Sequence, residues 1–288
     1  MRIGKIKSIF RYPVKSTGGE SVDEVELTLG GIPGDRGWAI RDEVRGEIVG
    51  GKSFPRLMEF SSRLREVSPG DKGQEADLIF PDGTFTSTLD PEISRKISEV
   101  LEHEVTLWPL LPAEELDHYR RGEATHSDME TELRAVFGRE GEEPLPDLSV
   151  FPPEIFQFAS PPGTYFDVSP LLILTSSSLA TLQKRVPTAR FDVRRFRPNF
   201  LIDAGGDADP FPELAWCGQK LRIGKAEIEI LLECPRCVMT THGFQDLPKD
   251  PGVMRALVKE AKGNLGVYAK PLVSGQVQVG DEIEIFGP

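Results

Sequence analysis

The sequence predicts an α+β, β-rich protein built in two parts. Three observations carry that prediction. Glycine and proline are frequent, 28 and 24 in 288 residues, and supply the turns that many short strands need. Short apolar runs end at Gly, Pro or Asp, as strands do. Only a few segments carry apolar residues at helical spacing. At roughly 150 residues per domain, the length suggests about two domains.

The elements follow in order. Residues 1–112 read mostly as strands and form a smaller β-rich N-terminal domain. Val22, Val25, Leu27 and Leu29 lead into a Gly30-Gly31-Ile32-Pro33-Gly34 turn and then Trp38-Ala39-Ile40. Pro81-Asp82-Gly83 divides Leu78-Ile79-Phe80 from Phe85 as a hairpin turn. Asp90 as N-cap and Pro91 at the first turn start a helix with Ile93, Ile97, Val100 and Leu101 on one face. Val105–Leu111 closes this part as a strand. Residues 113–165 form an acidic, Pro-rich connection with one short helix, capped by Ser127 and Glu130 and ended by Gly138. Residues 166–288 form the second domain. Leu171-Leu172-Ile173-Leu174 reads as a buried strand, and Thr175-Ser176-Ser177-Ser178 then opens a helix with Leu179 and Leu182. Strand patterning resumes at Leu221, and Asp250-Pro251 opens another helix. Two alternating strands, around Val277 and Ile283, end the chain.

Composition removes several function classes. With 46 acidic and 34 basic side chains the net charge is −12, which disfavours nucleic acid. No apolar run reaches the roughly 18 residues of a membrane span. Three cysteines cannot build a disulfide framework, so a reducing, cytoplasmic setting is expected. Arg2, Lys5, Lys7, Arg11 and Lys15 precede the first acid, Glu20, like a targeting presequence. No apolar stretch follows them, so no targeting role is expected.

Three local features could carry chemistry. Cys234-Pro235-Arg236-Cys237 suits a redox pair, a zinc site with His242 and Cys217, or one thiolate on a soft metal beside Arg236. Two inert buried cysteines are the bland alternative. Val238-Met239-Thr240-Thr241 is a poor helix start, which argues against the redox pair. The Thr175-Ser176-Ser177 helix start could bind an anion or simply cap its helix. Arg190, Arg194, Arg195 and Arg197 lie within eight residues. They form either a focused anion site or a salt-bridged stretch.

Taken together and in order, these motifs resemble the MOSC family. They are Tyr12-Pro13-Val14-Lys15-Ser16, Gly34-Asp35-Arg36-Gly37-Trp38, Arg195-Phe196-Arg197-Pro198-Asn199, Trp216-Cys217-Gly218, Leu221-Arg222-Ile223-Gly224 and Cys234-Pro235-Arg236-Cys237. The sequence is most similar to the long form, in which a β-rich N-terminal domain precedes a MOSC β-barrel. That branch includes the mitochondrial amidoxime-reducing components and their bacterial counterparts. The resemblance implies a molybdenum pterin cofactor held between the domains. It places the catalytic metal ligand on Cys237. It places cofactor contacts on Lys15, Ser16, Arg36, Arg197 and Asn199, with Arg236 beside the thiolate. Thr175, Ser176 and Ser177 match less sharply.

The implied activity is reduction of N-hydroxylated small molecules by two-electron transfer. His242, Asp246 and His118 are candidate proton donors, with His242 read as a surface loop residue. Three cysteines leave no thiolate set for an iron–sulfur cluster, so a separate ferredoxin- or cytochrome-type donor is expected. Lys5, Lys7, Arg11, Arg194 and Arg195 are the cations available to dock it. The alternative is a sulfur-carrier or cofactor-binding module, for molybdenum or pyridoxal phosphate, without its own turnover.

Overall fold

The computed structural model describes residues 1–65, 74–205 and 210–287. The first part contains β1 (Arg2–Arg11), β2 (Glu20–Val22), β3 (Glu24–Leu27), β4 (Trp38–Asp42), β5 (Glu47–Val49), β6 (Ser61–Leu64), β7 (Ala76–Ile79), β8 (Phe85–Ser87), α1 (Ile93–Leu101) and β9 (Val105–Pro109). The connection holds α2 (Leu116–Tyr119) and α3 (Met129–Phe137). The last part contains β10 (Leu171–Thr175), α4 (Ser176–Arg185), β11 (Phe200–Asp203), β12 (Lys220–Ile223), β13 (Ala226–Pro235), α5 (Gly252–Ala261), β14 (Asn264–Val273), β15 (Gly275–Gln278) and β16 (Glu282–Gly287).

Seven strands close into a barrel in the order β11-β10-β14-β13-β12-β16-β1, with β1 pairing back onto β11. The first strand of the chain therefore completes a barrel whose other strands come from the second half. Ile6 and Ile9 of β1 join Leu171, Ile173, Phe200 and Ile202 inside it. β10 is buried along its whole length because both of its faces are covered. Leu171 and Ile173 point into the barrel, while Leu174 packs outward against Leu182 of α4 and Leu257 of α5.

β2 pairs with β1 at the barrel's margin, and strands β4 to β9 form two three-stranded sheets, β5-β4-β9 and β6-β7-β8. Both close over a separate core with Ile93, Ile97 and Leu101 of α1. The hairpin at Pro81-Asp82-Gly83 joins β7 to β8 as its turn residues predict.

Two local expectations need correction. α1 begins at Ile93, with Glu92 as an N-cap that makes no side-chain bond. Asp90 instead accepts the Glu92 N–H at 2.9 Å and holds Lys96 at 2.6 Å. α3 is capped by Asp128, which accepts the Thr131 N–H at 2.8 Å, not by Ser127. Its Gly138 end is left-handed, as expected. The last two strands do not pair with each other. β15 turns away to pair with β3, and β16 enters the barrel between β12 and β1.

Candidate functional site

The site grows from the turn that follows β1. Tyr12 donates its N–H to Asp35 Oδ1 at 2.7 Å. The guanidinium carbons of Arg197 and Arg36 lie over its ring, 4.2 and 4.9 Å from the centroid. The other Asp35 oxygen pairs with Arg36 and accepts from Asn199 Nδ2 at 3.0 Å. Asn199 Oδ1 accepts the Leu172 N–H at 3.1 Å, tying the group to the start of β10. Lys15 Nζ bonds the Tyr165 carbonyl and Asp167 Oδ1, both at 2.8 Å.

Backbone conformation marks the same residues. Ser16, Arg36 and Arg197 all adopt left-handed φ, at 68°, 51° and 54°. Such a conformation costs a non-glycine residue about 1 kcal/mol or more and persists only where neighbours enforce it.

The charges are unbalanced. Lys15, Arg36, Arg197 and Lys52 gather around two carboxylates, Asp35 and Asp167, and Arg236 lies in electrostatic reach of Tyr12 and the two cysteines. Burial, reinforced by Arg36, lowers Arg197 to about 10. Burial also pushes the Tyr12 hydroxyl up to about 12, against the pull of Arg197 and Arg36. Burial opposes ionisation of Asp167, yet Lys15 and Lys52 together hold its carboxyl well below the usual range.

The two cysteines differ. Cys234 is the last residue but one of β13, is 3% exposed, and accepts Arg236 Nη1 at 3.0 Å. Burial pushes its thiol up, with Arg236 opposing. Cys237 is half-buried and caps a 3-10 turn over Val238–Thr241. It packs against Met58, Met239, Phe244 and Leu247. Arg236 Nη2 donates to the Phe196 carbonyl at 2.7 Å, while its buried Nε finds no partner among the described residues. Among those residues no three His, Cys, Asp or Glu side chains form a metal-ligand set.

Known families match both parts of the chain. The MOSC domain matches residues 162–284, and the MOSC N-terminal beta barrel domain matches residues 3–88. The chain carries a MOSC domain preceded by a MOSC N-terminal beta barrel domain. Mitochondrial amidoxime reducing component 2 of Homo sapiens is 28% identical over 254 residues, spanning 83% of this chain and 67% of its own. Mitochondrial amidoxime-reducing component 1 of Homo sapiens is 27% identical over 88% of this chain and 69% of its own. Molybdenum cofactor sulfurase of Oryza sativa is 25% identical over 81% of this chain and 28% of its own.

In this MOSC chain Lys15, Ser16, Arg36, Arg197 and Asn199 come together, and Arg236 and Cys237 lie in the same electrostatic neighbourhood. Thr175, Ser176 and Ser177 sit at the other end of β10 from the Asn199 contact. Thr175 caps α4, and the hydroxyls of Thr175 and Ser178 donate to buried Glu213 at 2.6 Å each. Ser177 donates to Thr175 Oγ1 at 3.1 Å.

The arginine run splits three ways. Arg190 and Arg194 form surface ion pairs with Asp246, and Arg194 also with Asp192. Arg195 is fully buried and donates to the carbonyls of Arg190, His242 and Pro248 at 3.1, 2.8 and 2.6 Å. Only Arg197 enters the site. Arg195 is thus no docking cation, and Arg11 and Arg194 are already paired with acids.

His242 is buried rather than a surface loop residue, because it closes the 3-10 turn after Cys237 with its N–H on the Met239 carbonyl. Burial and Lys249 lower its pKa. Asp246 is held outside by the two arginines. His118 bonds the Tyr165 hydroxyl at 2.7 Å within an aromatic cluster.

Sequence reasoning missed Asp167 and Lys52. Lys52 follows Gly50-Gly51 at the end of β5. A Cβ on Gly50 would meet Ser16 Oγ at 2.6 Å, and one on Gly51 would meet Met239 Cε at 3.0 Å. The turn therefore threads between the Lys15-Ser16 corner and the cysteine loop. A Gly-Gly-Lys tripeptide closing a strand was the available signal.

Proposed function

We propose that this chain is a molybdenum-cofactor-dependent reductase that removes oxygen from N-hydroxylated small molecules. One observation carries the reading. A half-buried thiol that belongs to no set of three protein metal ligands among the described residues shares an electrostatic neighbourhood with several buried cations. That donor set fits a group which brings its own soft ligands and an anionic tail. The unpartnered Arg236 Nε and the lowered Arg197 fit an anion in the same way.

In this reading Cys237 supplies the single protein thiolate. Lys15, Ser16, Arg36 and Arg197 hold the phosphate, and Asn199 orients Arg36 through Asp35. Thr175, Ser176 and Ser177, at the far end of β10, serve the start of α4 and its bond to Glu213 rather than the cradle. When bound, the cofactor would supply a two-electron centre able to accept oxygen from the substrate. The chain supplies orientation and positive charge. A separate ferredoxin- or cytochrome-type protein delivers electrons. Among the described residues no helix is long and apolar enough to cross a membrane. The cytoplasm is the compartment proposed, from the low cysteine count.

Likeness to a molybdenum cofactor sulfurase supports a second reading, a sulfur-carrier or cofactor-binding module without turnover. Elemental analysis with a benzamidoxime assay under reduced viologen separates the two. Molybdenum with turnover supports the reductase. A Cys237 persulfide without molybdenum supports the carrier.

A further inference from the structure

The Gly50-Gly51 turn delivers a cation that the cofactor cradle does not use. Lys52 is exposed and makes no ion pair among the described residues. It lies within electrostatic reach of Asp167, Cys237, Arg121 and Cys234. Asp167 is the acid that most favours its charge, but that carboxylate is shared with Lys15, which it pairs at 2.8 Å.

Arg121 arrives beside Lys52 from the connection. Glu47 on β5 accepts the Gly122 N–H at 2.8 Å, which fixes this stretch alongside the strand leading into the glycine turn. Arg121 Nη2 donates to the carbonyls of Ile155 and Phe158 at 2.9 and 3.0 Å. Those bonds fix the guanidinium without cancelling its charge. Lys52 thus follows the Gly51 backbone, which meets Met239 beside Cys237, shares Asp167 with Lys15, and has Arg121 as a second cation within reach.

We propose that Lys52, with Arg121, selects substrates that carry a negative charge, such as a carboxylate, on the part of the molecule facing away from the reacting N–O group. The inference rests on the reductase reading for the identity of the reacting group, but its charge selectivity can be measured without turnover. An exposed ion pair is worth up to about 1 kcal/mol, or roughly fivefold in affinity, and fades as salt screens it.

The test uses benzamidoxime and 4-carboxybenzamidoxime with the full chain. Ligand-observed NMR titration of the oxidised protein should show the carboxylate compound binding about fivefold tighter at low salt. The preference should shrink with added salt, vanish in Lys52→Met and invert in Lys52→Glu. Arg121→Gln should weaken it. With reduced viologen the same ratio should appear in KM rather than kcat. Equal binding of the two compounds, or a preference unmoved in Lys52→Glu, overturns the proposal. Loss of molybdenum in Lys52→Met also overturns it, by assigning Lys52 to the cofactor. Absence of turnover with the binding preference intact defeats the reductase reading and leaves the charge selectivity standing.

Discussion

Arg236 donates through Nη1 to the sulfur of Cys234 at 3.0 Å, although Cys237 is its neighbour in the chain. The bond divides the labour of the two thiols. Cys234 becomes a buried acceptor that fixes the guanidinium, and Cys237 is left half-exposed at the edge of the cation cluster.

That division predicts opposite outcomes for two substitutions. Cys237→Ala should abolish molybdenum retention and reductase activity with little change in melting temperature. Cys234→Ala should keep much of the metal but lose stability, about 1–3 kcal/mol for a buried donor left unpaired. Metal content and thermal unfolding of both variants check this. Metal lost only from Cys234→Ala would reverse the assignment.

Arg197 should anchor an anion. Arg197→Ala should cost roughly tenfold or more in cofactor affinity, since charge-assisted hydrogen bonds are worth about 1.5–3 kcal/mol. Pterin content at matched folding is the measurement. Equal content in variant and wild type would remove Arg197 from the cradle.

Arg195 should behave differently from Arg197 despite standing two residues away. Arg195→Met strands the carbonyls of Arg190, His242 and Pro248 inside the protein, at about 3 kcal/mol or more. Urea unfolding should show the loss. An unchanged midpoint would mean water replaces the guanidinium.

Glu213 gives a pH dependence. Burial raises its pKa above the ordinary 4.5, against the bonds from Ser178 and Thr175. Between those values the folded chain keeps a proton that the unfolded chain has released, so stability falls as pH rises. Its contribution is complete below 4.5 and is lost as pH climbs through the folded value. The stability difference between wild type and Glu213→Gln, followed by unfolding from pH 4 upward, should therefore change across that window. Parallel curves would refute the assignment.

Electron supply is the last prediction. With three cysteines in 288 residues the chain lacks the thiolates for an iron–sulfur cluster. NADH alone should give no amidoxime reduction, whereas reduced viologen or a protein donor should. A donor-driven rate should fall with salt, because exposed charges are screened over about 8 Å at physiological ionic strength. Lys5 and Lys7, exposed on β1, remain for docking. Turnover with NADH alone would remove the need for a partner.

Much of this protein was legible in its sequence, because local chemistry specifies local structure. The hairpin at Pro81-Asp82-Gly83, the buried run Leu171–Leu174 and the left-handed end at Gly138 each follow from turn and packing preferences within a few residues. The ordered motifs carried the resemblance and named most of the residues that the structure gathers around Tyr12 and Asp35. Tertiary structure decided the rest, where the outcome depends on residues far apart in the chain. No local pattern shows that β1 closes a barrel with β11, since that pairing joins Ile9 to Phe200. Nor does the run Arg190–Arg197 reveal which arginine is surface, core or site. Backbone carbonyls 45 or more residues away capture Arg195, and Tyr12 captures Arg197. Lys52 was invisible for the same reason. Its meaning comes from Asp167 and Cys237, which only the closed barrel brings within reach of its charge.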